Sequence, residues 1–416
     1  MPQITLSKIL LFFYILRYEG LSTAFSRLKN ISRKKAIPIL KYRVKEIKQN
    51  EKILLMIDQH IPMYDHDAGS RAVFNYITFF LHYGYKVYFI GNDFQKHEPY
   101  YTKLNNLGIE ILSGRYYYYN WKSWYKKNIS YINLVILNKP NVASYFLKYI
   151  KKNNINKIIY FGHDLHYLRE KREYDLTNKK WLLASSKRWE KQEIKIIENV
   201  DASYWFSNIE VNIIKKNKIH VNAKAIPINI FYDVVKRQNL INQCNNLLFV
   251  GGFSHRPNID AMIWFCNDIM PIVISKLPNI ILYIVGSNTP KEINELNSDN
   301  IIVKGYVPDE ELERIYNYTK VAVIPLRFGA GIKGKIIEAM YYQIPIITTS
   351  IGIEGIHNTE SFVFVEDNPV NFANKIIELY YDHEKLNYMC NCSYSYIKNN
   401  FSENNVLKIF KEDNII

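Results

Sequence analysis

The sequence predicts an α/β fold of two doubly wound, Rossmann-like domains, each a parallel sheet covered by helices on both faces. Three observations carry that expectation. Short β-rich apolar runs alternate with helical stretches from residue 51 onward. The runs fall into two series, and a strand-poor, Asn-rich passage at 233–246 separates them. In such sheets ligands sit beyond the carboxyl ends of the strands, and two facing sheets enclose a cleft, so candidate residues are sought just after strands.

Taken in order, the first series comprises Ile53–Asp58, Val87–Gly91, Ile109–Leu112, Leu134–Asn138, Ile158–Phe161 and Ser203–Phe206. The second comprises Leu247–Gly252, Ile280–Gly286, Ile301–Gly305, Val321–Leu326, Ile346–Thr349 and Val363–Glu366. Helical patterns fill the intervals, among them Ala68–His82, Trp181–Asn199, Asp260–Leu277 and Lys335–Tyr342, and Asn368–Phe410 reads as further helices. The aromatic cluster Tyr116–Tyr119 with Trp121 and Trp124 reads as a partly buried loop in a chain holding 34 tyrosines. The resulting boundaries are 1–50 for an N-terminal extension, 51–235 and 246–385 for the two domains, and 386–416 for C-terminal helices.

Residues 1–50 differ from the rest. The apolar run Ile9–Leu16 leads into a basic stretch that includes Arg27, Lys29, Arg33, Lys34, Lys35, Lys41 and Arg43. A secretory leader would need more than the lone Lys8 ahead of that run, and a better small-residue cleavage site than Leu21–Ser26 offers. Two readings stand: a basic amphipathic helix lying on an anionic membrane, or a helix packed on the domain behind it.

Composition bounds the partners. The chain of 416 residues is 48% apolar and 22% charged, which excludes a disordered or fibrous protein. No apolar run reaches the roughly 18–20 residues that cross a bilayer. Cys390 and Cys392 are too close for an ordinary disulfide, and with only Cys244 and Cys266 besides, a reducing compartment is expected. The net charge of +15 suits nucleic acid, an anionic membrane or a phosphorylated substrate. No zinc-finger or RNP-type signature accompanies it, so nucleic acid is not expected as a partner.

The most informative stretch runs from Val321 to Met340, where a buried strand enters a glycine-rich turn that opens a helix. Gly329 and Gly331 allow a ligand close to the backbone, the free N–H groups of the helix favour an anion, and Arg327, Lys333 and Lys335 add positive charge. This chemistry suits a diphosphate, and Glu338, one turn on, is placed to accept hydrogen bonds from paired sugar hydroxyls. The spacing Gly329-x-Gly331-x-x-Gly334 also matches a dinucleotide fingerprint, but it follows the fourth strand of its series and carries a lysine inside the loop. A glycine turn with solvated lysines is the remaining alternative.

The block 329–340, followed by 344–355, resembles the donor-site block of glycosyltransferase family four, enzymes of the GT-B fold that retain anomeric configuration. Leu247–Ala261, with Gly252, is similar to the first strand, loop and helix of that family's donor domain, and Ile302–Leu312, with Gly305 and Tyr306, to its base-binding loop. In the first half, Asp58–Arg71 contains Asp67, Gly69, Ser70 and Arg71, which fit an acceptor- or phosphate-facing loop opening a helix. Phe161–Glu170 resembles the family's His-Asp-Leu-His segment, which implies His163 as the cleft histidine near the transferred sugar, with Asp164 beside it. Without the resemblance, His163 and Asp164 equally suit a structural hydrogen-bonded pair. The last helix, by the same resemblance, would cross back to brace the first domain.

The sequence departs from the family pattern twice. Ala330 stands where many members carry the first of two glutamates, and Gly252 and Pro257 stand where many carry the Arg and Lys that hold the diphosphate. Arg327, Lys333 and Lys335 are expected to supply that charge instead. Asp65-x-Asp67 has the spacing of a metal motif but reads as loop and helix-cap chemistry, so no metal and no cofactor are expected. The resemblance implies a retaining transferase moving sugar from a nucleotide-activated donor to a glycan or lipid-linked acceptor in surface polysaccharide or glycolipid synthesis. It would act in the cytoplasm, peripheral to the inner face of the plasma membrane. A nucleotide-sugar epimerase of the same fold and a non-catalytic nucleotide-sugar-binding protein are the competing readings.

Overall fold

A computed structural model describes residues 51–153, 157–217, 221–232, 234–236 and 244–416. The basic extension at 1–50 and most of the passage at 233–246 lie outside the described residues.

The first sheet has seven strands: β1 (Lys52–Asp58), β2 (Tyr85–Gly91), β3 (Glu110–Ile111), β4 (Ile132–Asn138), β5 (Lys157–Phe161), β6 (Ala202–Trp205) and β7 (Ala223–Ala225). Their spatial order is β3-β2-β1-β4-β5-β6-β7, and every pairing is parallel. The second sheet has six: β8 (Asn246–Val250), β9 (Ile281–Val285), β10 (Ile301–Gly305), β11 (Thr319–Ile324), β12 (Ile346–Thr348) and β13 (Val363–Val365). Their order is β10-β9-β8-β11-β12-β13, again all parallel. The strand order turns around at β1/β4 and at β8/β11, which creates a crevice at the carboxyl end of each sheet.

β1 shows why these runs become central strands. All residues after Lys52 are buried, and alternate ones enter different cores: Leu54 and Met56 join one cluster, Ile53, Leu55 and Ile57 the other. A side-chain period of two with helices on both faces demands apolar residues at every position, which is the continuous run that the sequence displays. Each such buried aliphatic contributes roughly 1.5–3 kcal/mol.

Two elements differ from expectation. Strand β7 has no apolar run, only Ala-Lys-Ala, and its place is set by pairing with β6. The Tyr-rich stretch is no loop but helix Gly114–Asn128, which buries Tyr117, Trp121, Trp124 and Tyr125 at helical spacing while exposing Tyr116 and Tyr119. Helix Arg256–Trp264 continues through a π turn at Phe265–Ile269 into helix Met270–Lys276.

The C-terminal helices Pro369–Tyr381 and His383–Asn400 lie on the second domain, while Glu403–Glu412 returns to the first. There Phe410, fully buried, stacks on Phe80 at 5.3 Å and meets Tyr76, Phe79 and Tyr204 edge-on. The Asp413 carboxylate takes a hydrogen bond from the Tyr204 hydroxyl and one from Lys224 Nζ at 2.7 Å. Cys244, Cys266, Cys390 and Cys392 are all free thiols. Among the described residues no helix is long and apolar enough to cross a membrane.

Candidate active site

The carboxyl ends of the two sheets face one another, and the loops that leave them touch. Arg71 bonds Asp309 at 2.9 Å, Arg256 bonds Glu173 at 2.9 Å, and Ser287 Oγ donates to the His66 carbonyl at 3.3 Å. Arg172 forks onto Glu354 at 2.6 and 2.5 Å, and also donates to the Gly329 carbonyl at 2.7 Å. Each contact joins a loop or helix of one domain to the other, so the crevice between them is drawn closed.

On the first domain, β5 ends at Phe161 and the chain turns sharply through Gly162 and His163, the latter with φ 45. A non-glycine residue held in that region is a strained conformation of the kind found at ligand sites. Its imidazole is fixed by a hydrogen bond between Nε2 and Asn138 Oδ1, 3.1 Å, at the end of β4. Asn138 Nδ2 in turn donates to the Ile57 carbonyl at 3.2 Å, which sets the amide so that Oδ1 faces the ring. Nε2 therefore carries the proton, and Nδ1 is an acceptor. Burial, reinforced by the nearby Lys139 ammonium, pushes the His163 pKa down to about 4, so the ring is neutral at physiological pH. Nδ1 faces the start of helix Ala68–His82: a Cβ at Gly69 would lie 3.5 Å from it.

Asp164 is otherwise engaged. Burial alone would raise its pKa, but the adjoining Arg169 guanidinium, bonded to Oδ2, and then His166 hold it below the usual carboxylate range. Asp67 is the N-cap of helix Ala68–His82: its two oxygens accept from Ser70 N and Ser70 Oγ, each at 2.8 Å. Asp65 is bonded by the Tyr100 hydroxyl and, across the crevice, by the Tyr306 hydroxyl at 3.1 Å. Tyr306, one residue past Gly305 at the end of β10, also lies against the His66 ring at 4.8 Å.

On the second domain, the glycine-rich turn between β11 and helix Gly334–Tyr341 reaches across to this group. Gly331 has φ 73, and a Cβ there would meet Asp164 Cβ at 3.2 Å and the His163 carbonyl at 3.4 Å, so only glycine fits without strain or crowding. Lys333, at the N-cap of that helix, is buried; its Nζ is bonded to the Gly331 carbonyl and lies 3.6 Å from Glu354. Burial lowers its pKa against the pull of Glu354 and Glu210. Lys335 Nζ donates to Asn258 Oδ1 at 2.6 Å and lies 4.2 Å from the Phe249 ring centre, alongside Gly251. Burial, and then the neighbouring Lys333 charge, brings its pKa down to about 7. Two lysines desolvated beside a helix N-terminus form a site that gains by taking an anion.

The remaining candidates divide. Gly252 accepts from Asn258 Nδ2 at 2.7 Å at the head of the same loop. Glu338 is half-buried, and desolvation raises its pKa against the opposing Arg71 charge. Arg327 does not join the lysine cluster: its guanidinium forks onto Asp260, with Nε at 2.9 Å from Oδ2, and lies over Trp264. The expectation that Arg327 adds charge to the cradle is therefore corrected; an acid one helical turn inside Arg256–Trp264 captures it first.

Sequence reasoning missed several neighbours. Lys139, the residue after β4, sits 3.3 Å from buried Asp58, and the charges of Asp58, Asp67 and Asp164 raise its pKa against burial. Its position directly after a strand was the signal. Glu210 is fully buried, accepts from Leu165 N at 3.0 Å, and is pushed up to about 8 by burial and then by Asp164. Arg172 has no local signature, since its partner lies 182 residues away.

Residues 244–382 match the family model described as Glycosyl transferases group 1. The matched stretch coincides with the second domain. Over 185 residues the chain is 32% identical to an uncharacterised 44.6 kDa protein in the cps region of Klebsiella pneumoniae, covering 42% of this chain and 47% of that protein. A 41.2 kDa protein of the same region is 26% identical over 258 residues, 58% of this chain and 65% of the relative. The matched part thus spans less than two thirds of these relatives. Among solved structures, Anabaena HepE in complex with UDP-glucose superposes with a TM-score of 0.62 at 12% identity, covering 87% and 98% of the two chains. A Rickettsia africae glycosyltransferase gives 0.61 at 14% identity, covering 87% and 98%. An S. aureus TarM mutant bound to fondaparinux, alpha-GlcNAc-glycerol and UDP gives 0.55 at 15%, covering 70% and 57%. At such identities the likeness establishes the fold, which is GT-B.

Proposed function

We propose that this protein transfers a sugar from a nucleoside-diphosphate sugar to a glycan or lipid-linked acceptor, with retention at the anomeric carbon, in the synthesis of a surface polysaccharide. One observation carries the reading: the lysine-bearing glycine turn of the second domain packs directly against His163 and Asp164 of the first, at Gly331. An anion site and a neutral, oriented histidine thus face the same crevice.

As the bond to the leaving diphosphate lengthens, negative charge develops on its oxygens. Lys333, Lys335 and the N–H groups at the start of helix Gly334–Tyr341 stabilise that charge, and the backbone N–H groups, already fixed in place, need no reorganisation. The Lys333 ammonium lies between Glu354 and the Gly331 carbonyl, and it trades these contacts for oxygens of the diphosphate. His163 Nδ1 accepts from a hydroxyl of the transferred sugar, and Asp164, held by Arg169, steadies the turn. Glu338 takes the ribose hydroxyls, Tyr306 the base, and Arg71 with the Asp67–Ser70 helix start the acceptor side. The HepE and TarM complexes contain UDP-glucose and UDP, and the Klebsiella relatives lie in a cps region, which supports a nucleotide-sugar donor and a polysaccharide product here. A lipid-linked acceptor would place the protein at the inner face of the plasma membrane, with the basic residues 1–50 against it.

The test is a transfer assay of the full chain with nucleoside-diphosphate sugars and lipid-linked glycan acceptors, the product's anomeric configuration being read by NMR. Acceptor-dependent product with the donor's configuration supports the proposal. Sugar isomerisation without acceptor would make it an epimerase, and tight nucleotide binding without turnover a binding protein.

A further inference from the structure

The first domain assembles a set of metal-type donors that the transfer chemistry does not use. His60 follows β1, and Asp93 and His97 follow β2, so two adjacent parallel strands deliver all three to one edge of the sheet's carboxyl end. His60 Nδ1 lies 3.0 Å from Asp93 Oδ2, and His97 Nε2 is bonded to that same oxygen. The three donor atoms lie within 4.8 Å of one another, and among the described residues they form a His/Cys/Asp/Glu group able to hold an ion. The imidazoles meet edge to face at 5.6 Å, so their nitrogens converge instead of stacking apart.

Two features show that the trio is held in place. The other oxygen of Asp93 accepts from the Gln95 amide at 3.2 Å, the kind of outer contact that orients a ligating carboxylate. Gly91 lets the neighbouring loop approach: a Cβ there would come 3.0 Å from Asp93 Oδ1 and 3.2 Å from the Ile61 amide. The side chains are 40%, 23% and 31% exposed in chain order, which leaves a route for an ion and room for water ligands.

We propose that His60, Asp93 and His97 bind a divalent transition-metal ion of the zinc type, which clamps the loop after β1 to the loop after β2. Two imidazole nitrogens and one carboxylate oxygen suit zinc, cobalt or nickel far better than magnesium or calcium, which take oxygen ligands. Ligand atoms around such an ion stand roughly 3.4 Å apart, a small rearrangement of the present cluster. The clamp bears on the domain contact. The loop after β1 also carries Asp65, which is bonded by Tyr100 at the start of the helix that follows the loop after β2, and which receives the Tyr306 hydroxyl from the second domain. The ion is a brace for the wall that Tyr306 meets and takes no part in breaking the sugar bond.

The experiment is titration of Co2+ into the chelator-stripped full chain, followed by visible absorption and calorimetry. One ion per chain is expected, with the d–d bands of a four- or five-coordinate nitrogen–oxygen site, no sulfur charge-transfer bands, and displacement by Zn2+. H60A, H97Q and D93N should each weaken Co2+ binding by about 10–100-fold or more. D93N keeps the shape of the side chain, and circular dichroism checks that each variant is folded. A wild-type chain that binds no Co2+, a thiolate-type spectrum, or folded variants that bind as the wild type does would each overturn the proposal. None of these outcomes depends on nucleotide-sugar turnover.

Discussion

The Lys335 ammonium lies 2.6 Å from the Asn258 side-chain oxygen, bringing the positive charge of the glycine-rich turn to the first strand–loop–helix unit of the second domain. Gly252 and Pro257 in that unit carry no charge of their own. A lysine from the helix after β11 thus stands beside Gly251, directly after β8. The arrangement is a substitution in space that no local comparison of the first loop would reveal.

Lys335 makes stability and binding depend on pH. Its pKa is about 7 in the folded chain against an ordinary lysine's 10.5, so between these the unfolded chain binds more protons and stability rises with pH. Lys335→Met should stabilise the ligand-free protein most at pH 7 and below, the gain fading toward pH 10.5. Denaturant unfolding across that range checks it. Nucleoside diphosphate binding at pH 8 should take up a proton, seen by calorimetry in buffers of different ionisation enthalpy, and the variant should lose that uptake.

Lys333→Met should weaken nucleoside diphosphate binding by about 10–100-fold, the worth of a charge-assisted contact in a buried site. Arg327→Met should change it by less than about threefold, because that guanidinium is already committed to Asp260 at the surface. Equal losses in the two variants would contradict the division between them.

Gly331→Ala should cost about 1–2 kcal/mol of domain closure, from a positive φ and from crowding against Asp164 and the His163 carbonyl. Transfer rates would fall by about 5–30-fold. Small-angle scattering would show a more open particle, while the melting temperature changes little.

A neutral His163 makes the rate insensitive to this group between pH 6 and 8, since its pKa is about 4. Asn138→Asp puts an anion against Nε2 and raises that pKa. Protonation then fills Nδ1, and the rate should drop on the acid side of the profile, while at pH 8 it stays near that of the native protein.

Phe410→Ala should destabilise the chain by about 3–5 kcal/mol, because the ring is wholly buried among Tyr76, Phe79, Phe80 and Tyr204. Chemical denaturation measures it. Loss of the returning helix would expose the first domain's aromatic core, so aggregation should accompany unfolding.

Twelve of the strands announced themselves as short, mainly apolar runs bounded by turns, the central ones most clearly because both of their faces are buried. β7 did not, since Ala-Lys-Ala owes its extension to the neighbouring β6. Helix Gly114–Asn128 read as a loop because its aromatic density hid a spacing that buries Tyr117, Trp121 and Trp124 on one face. At the site, His163 and Lys333 were visible as residues following strands, and Lys139, directly after β4, carries the same signal. The partnership of Arg172 with Glu354, and the capture of Arg327 by Asp260, depend on contacts between segments 182 and 67 residues apart.

Local sequence thus determined the two series of strands, the glycine-rich turn and its lysines, and the placement of candidate groups at strand ends, because these follow from side-chain period and backbone allowance over a few residues. Tertiary structure alone decided which charges are free and which are spent, how the Gly331 turn meets His163, and that His60, Asp93 and His97 share one focus. Those outcomes depend on distances between loops of neighbouring strands and facing domains, and pairing there is settled by burial and electrostatics that no short stretch of chain contains.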